Sequence, residues 1–238
     1  MRHFIISISG KKQAGKNTIA DVIAKHIKQQ CNIEAKIISF ADSLKEFCID
    51  TLGLSYESCY GTDDEKNAPT QYKWEHVANI FRAKFNSKEL KTQSIDQLSN
   101  SILVQSMVQN NQLRTGFMSA RDIMQVLGTE LIRGNFGNVW ANATIRRIIK
   151  NNLEFSIIAD NRFPDETEAV LNQRYGYTIR LTRNPFNDLH ASETALDNYN
   201  WEQHKCFLID NAAMTIEEQA QAVIPIINSI ILEHGDVV

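Results

Sequence analysis

A short segment rich in glycine and lysine, residues 10–18, limits most strongly how this chain can fold and what it can bind. It reads Gly-Lys-Lys-Gln-Ala-Gly-Lys-Asn-Thr and follows an apolar run at 4–9 that is typical of a buried strand. Ile19, Ile23 and Ile27 then recur at helical spacing. A strand, a glycine loop and a helix in this order predict a phosphate-binding loop, because backbone N–H groups and the helix N-terminus together surround an anion.

The residues of this loop have separate expected roles in ATP binding. We expect Lys16 to bridge the β- and γ-phosphates, and Thr18 to face the metal ion bound to them. The other expected ATP contacts come from Gly10, Lys12, Ala14, Gly15 and Asn17. Asn17 separates the lysine from the threonine, an arrangement that resembles nucleoside monophosphate kinases and favours a kinase. A glycine turn that binds no ligand is the alternative interpretation.

The rest of the chain alternates between strand and helix patterns. Further strands are predicted at 35–40, 155–159, 177–181 and 206–209, and helices at about 43–52, 120–132, 139–149 and 216–232. We expect Asp42 or Ser43 to cap the second helix, and Pro225 to interrupt the last one. The alternation predicts an α/β protein with the three-layer P-loop NTPase fold, in which helices cover both faces of a central parallel sheet and ligands bind at the carboxyl ends of the strands.

Length and composition allow a substantial core, since 43% of the 238 residues are hydrophobic and 22% are charged. We expect a single domain at 1–238, although two small domains fit this length equally well. A polar segment at about 53–118 is predicted to be a mainly helical insertion, because its apolar residues between 74 and 81 keep helical spacing. A second polar segment lies at about 183–203.

Charge and cysteine content narrow the class of protein. A net charge of -3 and a pI near 6.1 give no basis for a nucleic-acid or membrane partner, so we expect small nucleotides as ligands. The four cysteines show no metal-site spacing, and no apolar run reaches the length of a membrane span, which predicts a cytoplasmic protein with reduced thiols. The apolar stripe of the last helix is expected to be core or a subunit contact, which leaves a homodimer open.

An aspartate and several arginines complete the predicted site. Asp160 follows a buried strand, where a carboxylate can hold Mg²⁺ directly or through water, although an aspartate there can also cap a turn. Arg162 lies two residues further on, and its planar guanidinium suits paired phosphate oxygens. The same argument applies to Arg121, Arg133 and Arg183. Solvated surface arginines are the alternative interpretation.

These motifs occur in an order that resembles one family, the bacteriophage deoxynucleoside monophosphate kinases of the P-loop nucleoside monophosphate kinase superfamily. The motifs that match, besides the phosphate loop, lie at 40–46, 60–66, 121–130 with Arg133, 160–166 and 190–193. Together they span about residues 7–211. The sequence departs from the family pattern at Ser43, where proline is common, and at Asn161, where an apolar residue is common. Neither change removes a phosphate-binding charge.

The resemblance implies phosphorylation of deoxynucleoside monophosphates by ATP with Mg²⁺. It implies catalytic roles for Lys16, Arg121, Asp160, Arg162 and Arg183, with Thr18 and Asp160 serving the metal ion and Asn211 lying beside adenine. The acceptor nucleotide is expected to contact Asp42, Lys45, Lys66, Arg121, Gln125, Glu130, Arg133 and Arg162. The resemblance also implies that the segment at about 183–203 is a short lid that closes over ATP. His190 falls in this lid segment and is interpreted as a surface or hydrogen-bonding histidine.

Two other functions fit the same residues. One is a P-loop kinase of another small acceptor, such as dephospho-coenzyme A or phosphomevalonate, which similar scaffolds use. The other is a module that binds ATP to control a partner and performs no chemistry. The arginines count against the second function, because a protein that only binds ATP has no need of cations for a second phosphate.

Overall fold

A computed structural model describes residues 2–76, 108–109, 112–128, 137–186 and 191–234. Its strands are β1 Phe4–Ser9, β2 Lys36–Ile38, β3 Pro69–Lys73, β4 Val108–Gln109, β5 Gln112–Leu113, β6 Phe117–Ser119, β7 Phe155–Asn161, β8 Gly176–Leu181 and β9 Cys206–Ile209. Its α-helices are α1 Lys16–Cys31, α2 Ala41–Leu52, α3 Tyr56–Tyr60, α4 Asp63–Asn67, α5 Ala120–Gln125, α6 Val139–Lys150, α7 Pro164–Leu171, α8 Ala191–Thr194 and α9 Ile216–Glu233. A 3-10 turn, Trp74–His76, follows β3.

The chain forms two compact units. Met1–Ala41 together with Ala141–Val238 make one, here called the sheet unit, and Asp42–Trp140 make the other, here called the inserted unit. The expectation of a single domain stays a prediction.

Five parallel strands in the order β2-β7-β1-β8-β9 form the sheet of the sheet unit. The central strand, β1, is buried along its whole length, as its nearly continuous apolar sequence FIISIS requires of a strand covered on both faces. Because the strands are parallel, their carboxyl ends meet at one edge, where the phosphate loop leaves β1 and Asp160 lies near the end of β7.

Helices pack on both faces of this sheet. Alternate residues of a strand point to opposite faces, and in β1 Ile6 and Ile8 join a buried cluster with α1 and α9, whereas Ile5 joins a cluster with α6 and α7. The three layers confirm the predicted α/β fold with a central parallel sheet. Among the described helices, none combines the length and the apolar character needed to cross a bilayer.

The inserted unit contains short helices and two small antiparallel sheets. β3 pairs with β6, and β4 pairs with β5. Its core includes the buried side chains of Cys48, Trp74, Met118 and Leu127. The segment predicted to be a mainly helical insertion therefore includes strands, but residues 77–107 lie outside the described residues, so the prediction for the whole segment is not tested. The helix predicted at 120–132 is described only through residue 128.

Three local predictions are wrong. α2 begins at Ala41, so Asp42 lies in its first turn and neither Asp42 nor Ser43 is its cap. The N–H of Ala41, the first residue of this helix, donates instead to the side chains of Asp160 and Ser39. β7 extends through Asn161, so Asp160 belongs to the strand rather than following it. Finally, α9 continues through Pro225 as one helix, because residues on its core face, such as Val223, are buried against the sheet and hold it in place.

Candidate active site

The phosphate loop joins β1 to α1 and curls around its own lysine. Nζ of Lys16 donates hydrogen bonds to the carbonyl oxygens of Gly10 at 2.8 Å and Lys11 at 2.7 Å. Gly15 has a φ of 98°, a left-handed conformation that side chains disfavour. A Cβ atom at Gly15 would also lie 2.8 Å from Oε1 of Gln219. The conformation therefore favours glycine at this position, and a Cβ atom there would also require the Gln219 side chain to shift.

Lys16 is buried, with a relative exposure of 9%. The pKa of its ammonium group is lowered to about 8, chiefly by burial and also by the nearby guanidinium groups of Arg162 and Arg180, while the Asp160 carboxylate opposes the shift. Like charges held together at low exposure repel each other, and an anion bound among them would relieve that repulsion. The electrostatics of the loop therefore suit a phosphate group.

Asn211 supports the phosphate loop from the end of β9. Its amide is fully buried, and Nδ2 donates to the carbonyl oxygen of Ala14 at 2.8 Å and to Oε1 of Gln219 at 3.1 Å. The backbone N–H of Arg183 donates to Oδ1 of Asn211 at 2.9 Å. The Arg183 guanidinium donates to the carbonyl oxygens of Asn211, at 3.1 Å, and of Met214. Both residues thus stabilise the turn before α9, and their predicted contacts with ATP are not tested.

Asp160 caps α2 across a long stretch of chain. Its Oδ1 accepts the backbone N–H of Phe40 at 2.8 Å, and its Oδ2 accepts the N–H of Ala41 at 3.2 Å and the hydroxyl of Ser39. A carboxylate oxygen has two lone pairs, so Oδ1 keeps one for a further partner.

The Asp160 carboxylate and the Thr18 hydroxyl are the predicted ligands of Mg²⁺. Mg²⁺ retains several waters and is usually held by one or two carboxylates together with phosphate oxygens. The Asp160 carboxylate is a ligand of the type that Mg²⁺ prefers. Thr18, the other predicted ligand, is half-buried in the first turn of α1 and carries a hydroxyl. Within the described ranges no group of three acidic, histidine or cysteine side chains is placed to hold a metal ion.

Glu193 connects the α8 segment to the phosphate loop and to Arg162. Its Oε2 accepts the backbone N–H of Lys12 at 2.6 Å, and its Oε1 accepts a guanidinium N–H of Arg162. Nζ of Lys11 donates to the carbonyl oxygen of Glu193 at 2.5 Å and to the carboxylate of Asp197 at 2.7 Å. The resemblance placed Glu193 within a matching motif but assigned it no role, and nothing in the sequence indicated Asp197.

Arg180 is a cation of the site that sequence analysis missed. Its Nη1 donates to the hydroxyl of Ser9 at 2.9 Å, its Nη2 lies 3.6 Å from the Asp197 carboxylate, and its guanidinium lies 5.3 Å from the ring centre of Trp201. Burial lowers the pKa of Arg180, and Asp197 opposes that shift. The available signal was a lone arginine near the carboxyl end of a predicted buried strand.

Several residues expected to bind the acceptor lie in the inserted unit. Arg121, on α5, places its Nη2 2.6 Å from Oδ1 of Asp63 on α4, and both side chains are well exposed. Nζ of Lys45, on α2, lies 4.4 Å from the ring centre of Tyr60 on α3. Asp42, Lys66 and Gln125 lie on α2, α4 and α5 respectively. Glu130, Arg133 and His190 lie outside the described residues.

The start of α5 is stabilised by contacts within its own first turn. The hydroxyl of Ser119 accepts the N–H of Asp122 at 3.1 Å, and the Asp122 carboxylate accepts the N–H of Ser119 at 3.0 Å. This reciprocal pair is a capping box, which satisfies two N–H groups at the start of the helix. Arg121 therefore projects from a helix whose start is fixed.

Comparison with known protein families shows what the chain is similar to. A family model described as deoxynucleotide monophosphate kinase matches residues 4–211, which is well over half of the chain. The matched range runs from β1 through the inserted unit to Asn211. No curated protein matches the chain.

Proposed function

Because the chain belongs to the deoxynucleotide monophosphate kinase family, we propose that it transfers the γ-phosphate of ATP to a deoxynucleoside monophosphate with the help of Mg²⁺. The family description supports kinase action on a deoxynucleotide monophosphate. The use of ATP, the metal ion and the residue roles belong to the proposal. The observation that carries it is the buried Lys16 ammonium inside the phosphate loop, with Arg162 and Arg180 close enough to lower its pKa.

Lys16 is suited to bind the β- and γ-phosphates of ATP. An ammonium group has three N–H donors, and two of them are used on the carbonyl oxygens of Gly10 and Lys11. Those two bonds fix the direction of the side chain, and the third donor remains for a phosphate oxygen. The backbone N–H groups at the start of α1 add further donors and the positive end of the helix dipole.

Mg²⁺ is proposed to bind beside Asp160 and Thr18, where it would neutralise phosphate charge. The contacts of Asp160 to Phe40 and Ala41 hold the carboxylate in one orientation before any ligand arrives. Such preorganisation is favourable because the protein does not have to reorganise its polar groups during the reaction.

The cationic side chains of the sheet unit are proposed to stabilise the transferring phosphoryl group. Its charge spreads over several oxygens in the transition state, and guanidinium groups bind paired oxygens well. Glu193 takes one donor of Arg162, and a guanidinium carries five N–H groups, so Arg162 retains donors for phosphate. The acceptor is itself a phosphate anion, so the reaction needs positioning rather than a general base.

The inserted unit is proposed to supply the acceptor contacts, with Arg121 and Lys45 as the principal cations. Arg121 pairs with Asp63 at the surface, and an exposed pair of this kind contributes little to stability, so a phosphate can compete for the arginine at low cost. We propose further contacts from Asp42, Lys66, Gln125, Glu130 and Arg133. The segment 183–203 is proposed to act as a lid that excludes water.

A coupled ADP-release assay across the common deoxynucleoside and nucleoside monophosphates tests the proposed function. We expect ADP release that depends on Mg²⁺ and on at least one deoxynucleoside monophosphate. Lys16→Ala should lower kcat by roughly a hundredfold or more, whereas Lys25→Ala, at an exposed position of the same helix, should leave it unchanged. Absence of ADP release with every monophosphate would contradict the proposal.

A further inference from the structure

The carboxylate of Glu193 binds two donors that belong to different parts of the proposed site. One oxygen accepts the backbone N–H of Lys12 in the phosphate loop, and the other accepts the guanidinium of Arg162 after β7. We propose that Glu193 is a positioning residue that holds Arg162 against the phosphate loop. This inference rests on the proposed function and adds to it a residue whose role the family match does not state.

The contact differs from an ordinary surface ion pair in its burial. The Glu193 side chain has a relative exposure of 5%, and that of Arg162 has 31%. Exposed ion pairs exchange freely with solvent and fix little, whereas a buried carboxylate needs partners for both oxygens. The backbone of Glu193 is held as well, since its carbonyl oxygen accepts the Lys11 ammonium at 2.5 Å. Glu193 is therefore held in one position, and its hydrogen bond holds the Arg162 guanidinium in a fixed position as well.

Electrostatic repulsion makes such a residue necessary. Lys16, Arg162 and Arg180 bring three positive charges to the same edge of the sheet, and their mutual repulsion favours rotation of the Arg162 side chain towards solvent. Glu193 opposes that rotation with a charge-assisted hydrogen bond. Asp197 forms ion pairs with Lys11 and Arg180 and opposes the repulsion between these cations in the same way.

Substitution of Glu193 by glutamine preserves shape and removes one of the two contacts. A glutamine side chain has one acceptor oxygen and one NH₂ group. Whichever way the amide is turned, its NH₂ group would face a second donor, either the Lys12 N–H or the Arg162 guanidinium. In the other orientation the Arg162 guanidinium keeps only a neutral acceptor, which binds it more weakly than a carboxylate does. Glu193→Gln therefore loosens Arg162 in either orientation with little change in packing.

The test is a double-mutant cycle of Glu193→Gln and Arg162→Gln. We expect Glu193→Gln to lower kcat by roughly tenfold to a hundredfold while the KM for ATP changes by less than about threefold, because a misplaced group costs rate. If Glu193 acts through Arg162, the double variant should match Arg162→Gln alone within about twofold. Glu34→Gln is the matched control, since Glu34 forms an exposed pair with Lys28 at 3.7 Å. It should behave as the unaltered protein does.

The outcomes separate this inference from the proposed function. Additive losses in the cycle, or full activity of Glu193→Gln, would overturn the positioning role even if the protein is a kinase. If the unaltered protein releases no ADP, the rate at which phenylglyoxal modifies Arg162 is measured by mass spectrometry in the unaltered protein and in Glu193→Gln. Faster modification of Arg162 in Glu193→Gln would support the positioning role, and an unchanged rate would overturn it. Thermal unfolding of each variant ensures that only folded protein is compared.

Discussion

Nδ2 of Asn211 lies 2.8 Å from the carbonyl oxygen of Ala14, so a residue at the end of the sheet fixes the shape of a loop almost 200 positions earlier. Asn211→Ala leaves that carbonyl oxygen and the N–H of Arg183 without their partner in a buried region. We expect the free energy of unfolding to fall by about 2–3 kcal/mol. Urea denaturation measures this loss.

Asn172, exposed at the end of α7, provides the control for this substitution. Asn172→Ala should change the free energy of unfolding by less than about 0.5 kcal/mol. Equal effects of the two substitutions would show that Asn211 does not support the loop.

Gly15→Ala should damage the phosphate loop in two ways. The new Cβ must adopt a left-handed conformation, and it must also displace Oε1 of Gln219, which lies 2.8 Å from its ideal position. Gly53 has a φ of 68°, and no atom of the described residues lies within 4 Å of a Cβ placed there. We expect Gly53→Ala to cost about 1–2 kcal/mol from conformation alone, and Gly15→Ala to cost more. Chemical denaturation of both variants checks the difference.

ATP affinity should fall as the pH rises through about 8. The pKa of Lys16 in the ligand-free protein is lowered to about 8 by burial and by neighbouring guanidinium groups, so the ammonium charge is present below that pH and lost above it. A lysine with the usual pKa, roughly 10.4, would stay charged across this range. Calorimetric titration with ATP between about pH 7 and about pH 9.5 measures the effect.

Lys16→Arg serves as the control for this pH dependence. An arginine keeps its charge throughout the range, so its weaker binding of ATP should vary little with pH. A pH profile in this variant as steep as that of the unaltered protein would assign the titration to another group.

Asn161→Asp should destabilise the protein strongly at neutral pH. The Asn161 side chain is fully buried. Its Nδ2 donates a hydrogen bond to the hydroxyl of Ser7 at 3.0 Å, and its Oδ1 accepts one from the hydroxyl of Thr167 at 3.1 Å. A carboxylate there would be desolvated beside Asp160, so its pKa would lie above that of an unfolded aspartate. The variant is therefore least destabilised at a pH below the pKa that the introduced carboxyl has in the unfolded chain. It loses stability as the pH rises through the pKa that this carboxyl has in the folded protein.

Denaturation of Asn161→Asp at two pH values tests this expectation. We expect a loss of about 3 kcal/mol or more at neutral pH and a smaller loss near pH 5. Asn151→Asp, at an exposed position after α6, should cost less than about 0.5 kcal/mol at either pH. A loss that does not depend on pH would argue against a buried charge.

Sequence patterns predicted the sheet well, because its strands are short apolar runs bounded by turn residues. β1 and β9 have the predicted limits, and β8 differs from its prediction by one residue. The glycine loop was predicted equally well. A left-handed turn before a helix favours glycine at a fixed position, and that local preference can be recognised in the sequence. Local rules succeed where the physical cause is also local.

The contacts that organise the candidate site come from residues far apart in the chain. Asp160 caps α2 from about 120 positions away in the chain. Local capping rules had assigned that role to Asp42 or Ser43. Glu193 meets Lys12 over a longer separation, and Arg180 joins the cations only because β8 pairs with β1. Contacts between residues so far apart cannot be predicted from a single sequence, so these contacts of the candidate site were identified only from the structure.

The position of β1 has a consequence for how the protein is made. Its hydrogen-bonding neighbours, β7 and β8, begin at Phe155 and Gly176, so β1 is synthesised well before either of them and cannot pair until both have been made. Until then its apolar residues have no sheet to join, and such exposed strands are prone to aggregate. The sheet unit should therefore fold late in translation and slowly for its size, as expected of a topology dominated by contacts distant in sequence.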